Sequence, residues 1–229
     1  MEKKLIGYMF LLSFVFVNTA EAQFKDLKKL NPLGGGDEKE SPVDVEGAQA
    51  ELLDALADAL GDVYAAQAII AEAQGNKELA ATYSNTSKDL SGGGVDEETL
   101  KGAVLEVTET TKTNQEVFNK KEQMDSESKK LYAKALLPYV KSVAKTAKLS
   151  EPISDFMDQA QNSIKSIKNP MQLRKLKSTL DTGLFVGKNV PKLIVSLGKS
   201  SKDLLTYAKD NGIDTSNASS ALGDDDEFE

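Results

Sequence analysis

The stretch EGAQAELLDALADALGDVYAAQAIIAEAQG, residues 46–75, decides the fold class. Its larger apolar residues recur at spacings of three and four, at Leu52, Leu53, Leu56, Leu60 and Val63. That spacing is the period of an α-helix with one buried face, and the many alanines raise the helix propensity further. The glycine at position 75 favours a helix end, because glycine readily adopts the left-handed conformation found there. The stretch therefore predicts one long amphipathic helix.

Helical periodicity continues beyond this stretch, and short polar signals mark where helices begin. Asn76 is a suitable N-cap for a second helix that reaches Leu90, and Asp96 is a suitable N-cap for the next one. The third helical pattern has a polar centre, which predicts either an exposed stretch of a very long helix or a break near Asp125. Pro138 should kink or restart the helix that follows, because its ring clashes with the preceding turn.

Start signals are also clear in the second half of the chain. Ser150-Glu151-Pro152 and Asn169-Pro170 each place proline in the first turn of a helix, where its missing N–H is harmless. Gly183 and Gly187 lie one turn apart, which would allow a close helix contact. Because Asn189 and Pro191 follow, the preferred interpretation is a short joint that ends one helix and restarts the chain. Gly212 then ends the last helix.

No segment alternates between apolar and polar residues over more than a few positions, so no strand is expected. The fold class predicted is all-α: a single helical bundle of five to seven helices, at least one of them long, over residues 46–212. Residues 23–45 are predicted to form a flexible leader. Residues 213–229 are rich in serine and aspartate and are predicted to form a disordered acidic tail.

The N-terminus has the pattern of a secretory signal peptide over residues 1–22. Lys3 and Lys4 precede the apolar run from Leu5 to Val17, and Ala20-Glu21-Ala22 provides the small-x-small cleavage pattern. The alternative is a membrane anchor, but this run is shorter than the ~20 apolar residues that span a bilayer. We therefore expect cleavage near Ala22 and a periplasmic or secreted protein.

The chain has no histidine and no cysteine. Disulfides, zinc sites built on Cys and His, and nucleophilic triads that use His are therefore excluded. No cofactor or metal ion is predicted, and the protein is not expected to be an enzyme. One catalytic alternative is a carboxylate pair of the kind that cleaves glycosidic bonds, and Asp54 and Asp58, one helical turn apart, are its candidates.

Charge divides the chain, whose net charge is −8, into two unlike parts. Residues 23–119 contain 19 acidic and 8 basic side chains, whereas residues 120–210 contain 9 acidic and 18 basic side chains. Nucleic acid is not an expected partner, because the chain is acidic overall and Arg174 is its one arginine, the residue that reads bases best.

Two helical faces concentrate these charges. The candidate acidic face consists of Glu51, Asp54, Asp58 and Asp62, and the candidate face for an anionic partner consists of Lys134, Lys141, Lys145 and Lys148. Either both faces are solvated and attract each other within the chain, or the basic face binds an anionic partner. The sequence leaves both interpretations open.

These observations predict an exported, non-enzymatic helical protein that acts as a binding or scaffold component of the cell envelope or extracellular space. Its expected partner is an envelope or extracellular protein, with anionic lipid or polysaccharide as a further possibility. The alternative function is that of a protein that binds lipid or membrane surfaces with its basic C-terminal half. The oligomeric state is left open.

Overall fold

The computed structural model describes the backbone of residues 44–119 and 124–222, and it describes side chains everywhere in these ranges except 112–119. The predicted signal peptide and most of the predicted leader lie outside the described residues. Within them the chain forms eight helices and no strand. The helices are α1 Val45–Ala73, α2 Lys77–Ser91, α3 Glu97–Asn119, α4 Ser126–Ala147, α5 Ser150–Ser166, α6 Pro170–Thr179, α7 Asp181–Asp210 and α8 Ser216–Leu222.

The all-α prediction is confirmed. Seven of the described helices have ten residues or more, and the longest are α1 with 29 residues and α7 with 30. The predicted N-caps also form, since the Asn76 side chain accepts a hydrogen bond from the Leu79 N–H and Asp96 accepts one from Thr99. Asp125 caps α4 through the Ser128 N–H at 2.7 Å, so the helical pattern breaks there rather than continuing as one very long helix.

Helix α1 lies at the centre of the packing. It packs most extensively against α2 and α4, and it also contacts α3, α5 and α7. Its residues Leu56, Leu60 and Val63 are fully buried. The remaining large contacts join α3 to α7 and α4 to both α7 and α8, so the buried residues form one continuous hydrophobic core.

The prediction of a joint near Gly187 is wrong, because α7 runs without a break through Gly183, Gly187 and Pro191. The reason is the close approach of α5. A β-carbon at Gly183 would overlap the Phe156 ring, and one at Gly187 would overlap the Met157 side chain. The two glycines therefore provide the close helix contact that was the alternative interpretation. Pro138 likewise lies inside α4, which continues past it.

The corner between α6 and α7 is held by a buried side chain of α1. The Gln49 amide nitrogen donates a hydrogen bond to the Thr179 carbonyl at 3.0 Å, and its amide oxygen accepts one from the Gly183 N–H at 3.1 Å. Gln49 therefore satisfies both backbone groups where the chain turns from one helix into the next, a buried position at which unpaired groups would be costly.

The expectation of a disordered tail from residue 213 is wrong for its first part. Residues 216–222 form α8, which packs against α4 and buries Ala218 and Leu222. The helix begins where the Asp214 carboxylate accepts a hydrogen bond from the Ser216 N–H at 2.9 Å. The folded part of the chain thus extends beyond Gly212, because two apolar residues four positions apart reach the core. Residues 223–229 lie outside the described residues.

The glycine contact leads to a stability test with a matched control. Gly183→Ala should lower the free energy of unfolding by about 1 kcal/mol or more, because overpacking against Phe156 and Gln49 outweighs the gain in helix propensity. Gly102→Ala in α3 points into open space and should instead raise it by up to about 1 kcal/mol. Chemical denaturation of both variants measures the difference. Equal stabilisation by the two substitutions would contradict the proposed close contact.

Candidate binding surfaces

The predicted acidic and basic faces lie on helices that pack side by side. The acidic face is on α1 and the basic face is on α4, and these two helices share one of the most extensive contacts in the bundle. Because each helix turns its apolar residues toward the core, its charged residues remain on the outer side. The fold therefore brings the two sequence-predicted faces next to each other.

Lys145 joins the two faces. Its ammonium lies 2.7 Å from a carboxylate oxygen of Asp58 and 2.7 Å from one of Asp62. Partial burial lowers the pKa of the Lys145 ammonium, but the hydrogen bonds to both carboxylates outweigh this, so its pKa lies above the usual value. Asp58 and Asp62 are one turn apart on α1, which lets a single lysine from α4 reach both. At this point the two faces pair with each other.

The other charged residues of the two faces do not join the two helices in this way. Lys134 and Lys141 are exposed on α4, and Lys148 is exposed at the C-cap of this helix. Glu51 and Asp54 are exposed on α1. In the part of the chain that the structure describes, none of these five side chains has an oppositely charged group within 4.0 Å. Their charges are therefore available to a partner, with the paired Lys145 between the two sets.

A shallow groove runs between α1 and α4 beside this ion pair. Its volume is about 400 Å³, and it is lined by Asp62 and Ala65 on one side and by Leu137, Pro138 and Lys141 on the other. The lining of the groove combines apolar side chains with the carboxylate of Asp62 and the ammonium groups of Lys141 and Lys145. Such a surface suits the side chains of a bound polypeptide better than a fully polar face would.

The two candidate catalytic carboxylates do not form a symmetrical pair. Asp58 accepts the hydrogen bond from Lys145, whereas Asp54 is exposed one turn away and has no ion pair in the described chain. A glycosidase needs two carboxyl groups that flank one bond from opposite sides. Asp54 and Asp58 instead lie side by side on the outer face of one helix.

A second charged surface was missed by the sequence reasoning. It comprises the end of α5, the connection 167–169 and all of α6, and we call it the α5–α6 basic segment. Its basic residues are Lys165, Lys168, Arg174, Lys175 and Lys177, all of them exposed. The sequence contains a signal for it, because no acidic residue occurs between Asp158 and Asp181.

None of the helices that the structure describes is long and apolar enough to cross a membrane. Within the same residues, no group of three or more acidic side chains is placed to hold a metal ion.

Comparison with known proteins identifies no relative, since no family model, curated protein or solved structure matches the chain.

The bridging lysine can be tested by a stability measurement. Lys145→Gln should lower the free energy of unfolding by about 0.5–1 kcal/mol, the range of well-formed exposed ion pairs, because two carboxylates lose their partner. The loss should shrink at high salt, which screens the pair. Lys148→Gln, on the same helix but without an ion pair, is the control and should change stability less. If the two variants lose the same amount, Lys145 does not link α1 to α4.

Proposed function

We propose that the protein is exported and acts as a non-enzymatic binding or scaffold component of the cell envelope or extracellular space. The observation that carries this proposal is the α1–α4 surface, where Lys134, Lys141 and Lys148 face solvent without an ion pair in the described chain. Glu51 and Asp54 are available in the same way on the neighbouring helix. Charged groups on both sides of an apolar groove are the features by which a protein partner is oriented and selected.

Export is supported by the N-terminal sequence. The two lysines, the short apolar run and the Ala20-Glu21-Ala22 pattern occur in the order of a cleavable signal. The absence of cysteine is compatible with an oxidising compartment, since the helical core is held by packing and needs no disulfide.

The location can be tested with the full-length protein expressed in the cells that naturally produce it. We expect the mature protein in the periplasmic fraction or the medium, with Gln23 as its first residue when the N-terminus is sequenced. Ala22→Phe should block cleavage, because the peptidase requires a small residue at that position, and an uncleaved precursor should accumulate. A wild-type chain that stays uncleaved in the cytoplasm would exclude export.

Partner binding can be tested with variants of equal charge change. The wild-type chain, tagged at its C-terminus, should recover a defined envelope or extracellular protein after mild cross-linking. Lys134→Gln/Lys141→Gln/Lys148→Gln should reduce recovery about tenfold if these lysines contact the partner, which corresponds to ~1.4 kcal/mol. The control is Lys188→Gln/Lys192→Gln/Lys199→Gln, which removes three exposed lysines of α7 and should leave recovery unchanged.

The outcome of this comparison distinguishes a specific surface from a general effect of charge. Equal recovery by all three chains would contradict a role for the α1–α4 surface. Glu51→Gln/Asp54→Asn provides the complementary test of the acidic side, and loss of the partner with this variant alone would place the contact on α1.

A second candidate function is binding to lipid or membrane surfaces through the basic C-terminal half. The observation that favours it is the α5–α6 basic segment, in which exposed lysine and arginine side chains surround an exposed methionine. Basic side chains combined with apolar ones are typical of helices that bind at a membrane surface.

A further inference from the structure

Helix α6 differs from every longer helix whose side chains are fully described. None of its ten residues is buried, and its contacts with α5 and α7 are few. Met171 is 82% exposed, the most exposed large apolar side chain in the described part of the chain. A helix in a bundle normally buries an apolar face against its neighbours. Helix α6 leaves much of its apolar surface uncovered.

The charges around Met171 are all of one sign. Arg174, Lys175 and Lys177 lie on α6, Lys165 lies at the end of α5, and Lys168 lies in the connection between the two helices. All five side chains are exposed, and no carboxylate within the described residues lies close enough to form an ion pair with any of them. Residues 159–180 contain no acidic residue at all. The five cations of this segment are therefore not paired with carboxylates in the described chain.

Helical geometry brings the apolar and basic groups together. Arg174 and Lys175 are three and four positions after Met171, so the three side chains share one side of α6. Leu173 and Leu176 are only partly covered and lie toward the opposite side. The outward side of α6 thus presents a flexible apolar side chain between two cations.

We propose that the α5–α6 basic segment docks on the surface of a membrane rich in anionic lipid, with Met171 entering the boundary between headgroups and acyl chains. This inference rests on the second candidate function and assigns a site to it. An anionic membrane fits better than an acidic protein, because the segment combines unopposed positive charge with an exposed apolar side chain. The basic face on α4 fits this role less well, since no large apolar side chain of α4 is exposed and one of the four lysines of the face, Lys145, is paired with Asp58 and Asp62.

The test uses vesicle flotation with the chain as purified and with all variants prepared identically, so that the N-terminal residues contribute equally. Wild type should float with vesicles of phosphatidylcholine and phosphatidylglycerol but not with phosphatidylcholine alone. Arg174→Gln/Lys175→Gln/Lys177→Gln should weaken binding about tenfold or more, because each removed cation loses its attraction to the anionic surface. Met171→Ser should weaken the binding that persists at high salt, which screens the charges but not the apolar contact.

The matched control is Lys188→Gln/Lys192→Gln/Lys199→Gln, which removes the same number of exposed charges from α7 and should change vesicle binding by less than about threefold. Circular dichroism and the unfolding midpoint of each variant verify folding, which should be preserved because α6 buries none of its side chains.

Three results would overturn the inference in distinguishable ways. If wild type binds neither type of vesicle, the second candidate function fails together with its site. If both triple variants lose binding equally, membrane binding stands but the α5–α6 basic segment is not its site. If wild type ignores vesicles while the α6 variant loses affinity for an acidic polysaccharide or protein, the segment is a binding site for a different class of partner.

Discussion

Burial of helix α1 is the constraint on which the rest of the structure depends. Leu56, Leu60, Val63 and Tyr64 on this helix are fully buried, and α1 packs against α2, α3, α4, α5 and α7 and bonds to α6 through Gln49. The chain has no cysteine, so no covalent link supplements these contacts. Each fully buried leucine or valine contributes about 1.5–3 kcal/mol. With the other buried residues of α1, they oppose the backbone entropy that is lost when a helix of 29 residues is fixed in place.

The positions of the charged surfaces result from the burial of α1 and do not cause it. Once α1 turns its apolar stripe inward, Asp58 and Asp62 must face outward, and the packing of α4 places Lys145 beside them. An exposed ion pair contributes about 0–1 kcal/mol, much less than the apolar residues beneath it. The pair therefore adjusts how α4 lies along α1, whereas the core determines that the two helices pack at all.

Features that depend on neighbouring residues in sequence could be predicted from the sequence, and features that depend on distant residues could not. The caps at Asn76 and Asp96 involve partners three residues away, so the local pattern was sufficient to predict them. The continuity of α7 depends on how closely α5 approaches Gly183, which no local pattern reveals.

The same distinction between local and distant partners applies to the candidate sites and to the C-terminal helix α8. Helical periodicity was enough to place Lys141 and Lys145 on one face, because it assigns residues of one helix to a common side. It could not identify Asp58 and Asp62 as the partners of Lys145, since they lie 87 and 83 positions away. Helix α8 was missed for a related reason, because Ala218 and Leu222 are too few to form a recognisable stripe until α4 covers them.

The number of lysines on a helix face is therefore a poor guide to what that face binds. A charge acts over roughly 8 Å at physiological ionic strength, so the groups that the fold places within that distance decide the net field. On α4, Lys145 lies against two carboxylates of α1, and the attraction that the lysines of this face exert on an anionic partner is reduced. On α6, the cations lie in a stretch, residues 159–180, that contains no acidic residue, and no carboxylate of the described chain forms an ion pair with them. The two faces carry similar charge in the sequence, but the fold pairs one lysine of the first with two carboxylates and leaves the cations of the second unpaired in the described chain. This difference is why we propose a protein partner for the first face and an anionic surface for the second.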